Sequence, residues 1–242
     1  MGLKRVGERG GKGNGSYFAI IGISTMNVKP LVKLIVPQSM VPTVKRIYDN
    51  VNALSTLIKK NLHQRYLSVR LDTNNRCNLR CKYCYTLSHE REPFKIMTID
   101  EFKKIADELF PQSYNVYLSC AWEPLVNKHF VEYIDIAARY SLPSLNFITN
   151  GVLFNDEIIR ASIKAPVHQI DVSIDADNKN SYEAICGRDF FDRVIANLRR
   201  ISELKKEHHS VYPRVGIVFV NRDVETSQKQ DLKSCHREVK TD

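Results

Sequence analysis

Residues 71–85 read LDTNNRCNLRCKYCY, with Cys77, Cys81 and Cys84 at a C-x3-C-x2-C spacing and Tyr83 directly before the third cysteine. Just upstream, residues 67–71 (LSVRL) alternate apolar and polar side chains, the pattern of a half-buried strand. The spacing therefore predicts three thiols on a loop leaving the C-terminal end of a strand. A structural zinc takes four protein ligands, so three cysteines need a complement. His63 and His89 are the nearest imidazoles. Cys81, Cys84 and His89 open a C-x2-C-x4-H knuckle, but Phe94 occupies its last cysteine position. A four-iron cluster matches better, because thiolates suit iron–sulfur chemistry and three of them leave one iron free for a small molecule. A Cys3His zinc site using Cys77, or a redox-thiol role, stays open on composition.

Downstream, strands and helices alternate, the order of a parallel sheet. Thr98 with Glu101 forms a capping box that opens a helix through Phe110. Strands are expected at Val116–Cys120, Ser144–Thr149, His168–Ile174 and Val215–Val220, with helices at Asn127–Arg139, Asn155–Lys164 and Asp189–Lys206 between them. Ligands bind at the carboxyl ends of parallel strands, so chemistry should gather at that edge.

The cysteine triplet, with an aromatic residue before its last member, resembles the signature of the radical S-adenosylmethionine (radical SAM) superfamily. The resemblance implies an α/β fold, a partial (β/α)6 TIM-like barrel with a parallel sheet. It also implies a 4Fe-4S cluster on Cys77, Cys81 and Cys84, whose open iron is chelated by S-adenosylmethionine. Reductive cleavage of that cofactor yields a 5′-deoxyadenosyl radical that abstracts hydrogen from a substrate, with an external electron donor of flavodoxin or ferredoxin type.

Further motifs at the expected strand ends are similar to the family's. Glu123-Pro124 matches its Gly-Gly-Glu-Pro, with Ala121 and Trp122 in place of the glycines, so Trp122 is expected to offer only its backbone to the cofactor. Thr149-Asn150-Gly151 looks like its Thr-Asn-Gly turn, and Ser173-Ile174-Asp175 like its Ser-Ile-Asp-Gly. Ser173 and Asp175 alternate onto one strand face. Residues 181–187 (SYEAICG) resemble a run of peptide-modifying members in which an Arg pairs with the cofactor's carboxylate. Cys186 holds that place here, and Arg188 stands two residues on. The implied cofactor contacts are thus Tyr83, Trp122, Glu123, Asn150, Ser173, Asp175 and Arg188. Cys186, Cys120 and Cys235 also read as small buried hydrophobes, and His208 with His209 as surface residues.

The resemblance runs from about residue 66 to 221 and covers five of the six β/α units, leaving the barrel incomplete at the C-terminus. The last twenty residues are polar, with no evident sixth strand. An open sheet exposes an unpaired edge. Either the N-terminal apolar segment covers it or the chain is a shortened form of a longer protein.

Three domains are expected: a Gly-rich, basic, disordered leader over 1–16, an N-terminal extension over 17–62, and the core over 63–242. Residues 1–70 carry twelve Lys/Arg against two Asp/Glu, and the rest twenty-four against twenty-five, so the net charge of +9 belongs to the N-terminal arm. No nucleic-acid motif accompanies it, which makes a nucleic-acid partner an unfavoured reading. The apolar run Tyr17–Met26 is too short to span a bilayer and reads as a strand or hairpin, paired with Leu31–Val36. Val6 stands where a myristoylation signal needs Ser or Thr. From Val41, apolar residues recur at three- and four-residue steps, predicting a helix that packs on the outside or across one end of the core. Clustered thiols point to a reducing compartment, the cytoplasm.

The function expected is a radical SAM oxidoreductase or transferase with an unread substrate, a peptide side chain by analogy to residues 181–187. A cluster-binding relative without catalysis and an RNA-modifying enzyme are the alternatives.

Overall fold

The computed structural model describes residues 19–22, 41–62, 64–84, 86, 93–165 and 167–219. The leader, the 31–36 strand, His63, His89, Cys235 and the polar tail lie outside them. The elements in chain order are β1 (Ala19–Gly22), α1 (Val41–Asn61), β2 (Leu67–Leu71), α2 (Ile99–Leu109), β3 (Ser113–Tyr117), α3 (Phe130–Ala138) and β4 (Leu145–Thr149). They continue with α4 (Asp156–Lys164), β5 (Gln169–Ser173), α5 (Lys179–Cys186), α6 (Phe191–Glu207) and β6 (Arg214–Val218). The six strands form one sheet in sequence order, β2 to β6 parallel.

Alternation along the strands makes the two faces of the sheet different. Val69, Leu71, Val116, Leu145, Phe147, Ile170 and Val172 are buried in one apolar cluster with residues of the helices, among them Phe102, Tyr133, Ile159 and Leu204. The other face is polar. Asn115 Nδ2 donates to Ser68 Oγ at 3.0 Å and Asn146 Nδ2 to Asn115 Oδ1 at 2.8 Å, a ladder across three strands. Arg70 lies over the Tyr117 ring at 4.3 Å, and Asp171 fits beside Gly216, where a Cβ would come within 2.6 Å of its Oδ1.

Expected elements shift where side chains compete for the backbone. The Thr98–Glu101 capping box opens α2, and Asn155 caps α4 by accepting from Ile158 N at 2.9 Å. Strand β3 starts and ends three residues earlier than expected; Leu118 N still donates to Asn146 O at 2.8 Å, and beyond it the amides of residues 120–122 turn to the Asp72 carboxylate instead of a neighbouring strand. Helix α3 starts at Phe130, after a 3-10 turn at Pro124–Val126 and an Asn127 side chain that accepts from His129 N at 3.0 Å. Helix α5 lies outside the expected elements, although Asn178 caps its start and Gly187, at φ 72°, its end.

Two expectations are corrected. β1 is a strand, but it runs antiparallel to β2, Ala19 opposite Leu71, so the described residues Ala19–Gly22 pair with the edge at β2 and not with the edge beyond β6. It supplies backbone partners where the parallel order begins, and no strand flanks β6 on its far side among the described residues. Helix α1 forms over the expected span, yet Ile47, Val51, Leu54, Leu57, Ile58 and Leu62 are all at least 50% exposed. Its apolar stripe is therefore not packed on the core. Near its C-terminal end, Lys59 Nζ sits 5.9 Å from the Tyr114 ring.

Candidate functional site

Because β2 to β5 are parallel, their C-terminal ends bring Asp72, Ser119–Glu123, Asn150 and Ser173–Asp175 to one edge of the sheet. The cysteine loop leaves β2 at that same edge. Asp72 accepts from Cys120 N at 2.8 Å, Ala121 N at 2.9 Å and Trp122 N at 3.2 Å. Burial pushes the Asp72 carboxyl up to about 6, against the pull of those amides.

Glu123 is 4% exposed and its carboxylate is fully engaged by the protein. Oε1 accepts from Thr149 Oγ1 at 2.7 Å and Leu125 N at 3.1 Å, and Oε2 from Asn150 N at 2.7 Å. Burial lifts it to about 7 despite these donors. It thereby ties the β3 end to the Asn150 turn. The Asn150 side chain in turn donates to Asn78 Oδ1 at 2.8 Å and to Cys77 Sγ at 3.7 Å, which brings the first cysteine against the third parallel strand's end. Gly151, at φ 78°, makes that turn affordable only without a side chain, since a Cβ would meet Val172 Cγ1 at 2.8 Å.

Each thiol has its own setting. Cys77 also accepts from Leu79 N at 3.4 Å, and burial pushes it up to about 11, with the charges of Glu123, Cys81 and Cys84 adding to the rise. Cys81 interacts with the Cys186 thiol, which with burial raises it further. Cys84 Sγ is 2.8 Å from Thr86 Oγ1. Among the described residues no three His, Cys, Asp or Glu side chains converge as the shell of a single metal ion. Around the loop three buried polar atoms have no hydrogen-bond partner, Thr73 Oγ1, Asn78 Nδ2 and the Tyr182 hydroxyl. Spare donors beside a set of three thiols fit a polar, sulfur-bound group such as an iron–sulfur cluster with a small-molecule ligand.

Of the other expected contacts, Ser173 ends β5 half-buried, and Asp175 lies close enough to Cys81 and Cys186 for its charge to act on both. Tyr83 is 51% exposed on the loop. Arg188 is exposed, and no hydrogen bond or ion pair joins it to these residues among those described. Cys186 is buried as expected, but its thiol is part of the site, whereas Cys120 is half-buried and pushed up to about 11 by burial and the Asp72 charge. His208 and His209 are exposed. Sequence reasoning missed Asp72, Asn78 and Tyr182. A carboxylate directly after a strand, facing three amides, carries no local motif.

The sequence family described as the Radical SAM superfamily matches residues 71–227. The chain is 26% identical over 174 residues to a GTP 3',8-cyclase of Desulforamulus reducens, covering 71% of this chain and 52% of that protein. It is 29% identical over 126 residues to the mycofactocin maturase MftC of Mycolicibacterium smegmatis, covering 52% of this chain and 32% of that one. The chain thus spans about half the length, or less, of these curated relatives. Among solved structures, Streptococcus suis SuiB bound to S-adenosylmethionine aligns with a TM-score of 0.55 at 16% identity, covering 79% of this chain and 42% of SuiB. That likeness shows the fold: five parallel strands of a TIM-like barrel, not closed.

Proposed function

This chain belongs to the radical SAM superfamily, whose members use a 4Fe-4S cluster and S-adenosylmethionine, and we propose that Cys77, Cys81 and Cys84 hold that cluster here. One observation carries the reading: the cysteine loop leaves β2 at the edge where the other parallel strands end, with Cys77 against Asn150. The cluster, when bound, supplies the electron that cleaves the sulfonium and so the radical that abstracts hydrogen. The protein's part is geometry and exclusion of water. Glu123 holds the Asn150 turn through its amide, and Asn150 steadies the loop at Asn78 and Cys77. Asp72 fixes the 120–122 backbone by taking its amides, which leaves the Trp122 carbonyl as the main-chain group it can present. Glu123, Asn150, Ser173, Asp175, Tyr83 and Arg188, with the Trp122 backbone, remain the residues assigned to the cofactor. The raised thiols must give up protons on taking iron, so cluster uptake releases protons.

The chain is an enzyme in this reading, with an external electron donor of flavodoxin or ferredoxin type, a cytoplasmic location, and residues 63–242 as its core. Among the described residues no helix is long and apolar enough to cross a membrane. The substrate is read as a peptide side chain, supported by the likeness to a maturase and by residues 181–187. A cluster-binding relative without catalysis is the second reading, favoured by Ala121, Trp122 and Cys186 at the family's usual Gly, Gly and Arg positions. Anaerobic reconstitution and turnover with dithionite and S-adenosylmethionine separates the two. Formation of 5′-deoxyadenosine by the wild type, with loss of both iron and product in Cys81→Ala, is the expected result. Full iron uptake by Cys81→Ala would refute the assignment.

A further inference from the structure

Helix α5 ends against the cysteine loop. Its last carbonyls lack partners within the helix, and they go instead to the loop: Arg80 N donates to Cys186 O at 3.0 Å and Lys82 N to Ile185 O at 2.9 Å. These two bonds bracket Cys81 on both sides. Gly187 makes the approach possible, because a Cβ there would stand 3.2 Å from Arg80 O. The end of a helix that presents carbonyls has no amide to give to a sulfur. Any hydrogen bond to Cys81 from this side must come from a side chain, and the Cys186 thiol is in place for it, with Tyr182 behind. The Cys186 thiol, 4% exposed, interacts with Cys81 and lies beside Tyr182. The Tyr182 side chain is fully buried, with its hydroxyl against the Cys186 thiol.

We propose that Cys186 is a positioning residue whose Sγ–H donates to the Cys81 sulfur, with the Tyr182 hydroxyl behind it, and so raises the reduction potential of a cluster bound through Cys81. This rests on the assignment of Cys81 as a cluster ligand. A donor to a thiolate sulfur stabilises the more negative, reduced cluster, and burial keeps water from substituting for it. The test is a mediated redox titration of the anaerobically reconstituted wild type, Cys186→Ala and Cys186→Ser, followed by the electron paramagnetic resonance signal of the reduced cluster, with iron measured first. The alanine variant is expected to keep its iron and shift to a more negative midpoint, and the serine variant, which retains a donor, to stay near the wild type. An unmoved midpoint in the alanine variant, an equal shift in both, or loss of iron in both overturns the proposal while leaving the three-cysteine assignment standing. A wild-type chain that takes up no iron overturns both.

Discussion

At the scale of single residues, the site is held by two buried carboxyls that face inward to the protein. Asp72→Ala leaves the amides of Cys120, Ala121 and Trp122 without an acceptor. It should cost roughly 2–4 kcal/mol in chemical denaturation; a loss under about 0.5 kcal/mol would mean that water satisfies those amides. Glu123 gives a pH signature. Its carboxyl sits at about 7 in the fold against 4.5 ordinarily, so the folded chain binds the proton more tightly. The stabilising contribution of that proton is complete below the ordinary value and is lost as pH rises through about 7. The stability of the wild type relative to Glu123→Gln should therefore fall between roughly pH 4 and pH 8, by up to about 3 kcal/mol, moving in favour of the glutamine variant. A wild type that gains stability on the variant over that range would contradict the burial argument.

At the scale of elements, what the sequence made legible was whatever had a local cause. The Thr98–Glu101 box and the Asn155 cap are side chains bonding their own backbone, and both helices begin where those residues stand. Thr98→Ala should lower stability by about 1 kcal/mol. The cysteine triplet was legible for the same reason, since its spacing is confined to eight residues. What escaped reading depends on partners far along the chain. Beyond β3 the amides of residues 120–122 turn to Asp72, about fifty residues away, and the Cys186 thiol matters because α5 docks on a loop a hundred residues upstream. Helix α1 shows the limit of periodicity: its apolar repeat gave the helix but not a surface to cover it.

At the scale of the whole molecule, the sheet is open, and its two edges differ. β1 pairs the edge at β2. At β6, Arg214 N donates inward to His168 O at 2.9 Å, so the alternate amides, Val215 and Ile217, point to the far side. Hydrogen exchange should find those two faster than Gly216; equal protection would reveal a further segment paired there. The central claim is that a cluster on Cys77, Cys81 and Cys84 keeps one iron open to S-adenosylmethionine at the edge formed by Glu123, Asn150 and Ser173. The most direct measurement is the electron paramagnetic resonance spectrum of the reduced, reconstituted chain before and after adding S-adenosylmethionine. The account predicts a four-iron signal that changes on addition of the cofactor; a spectrum indifferent to it, or a protein that takes up zinc in place of iron, would contradict the account.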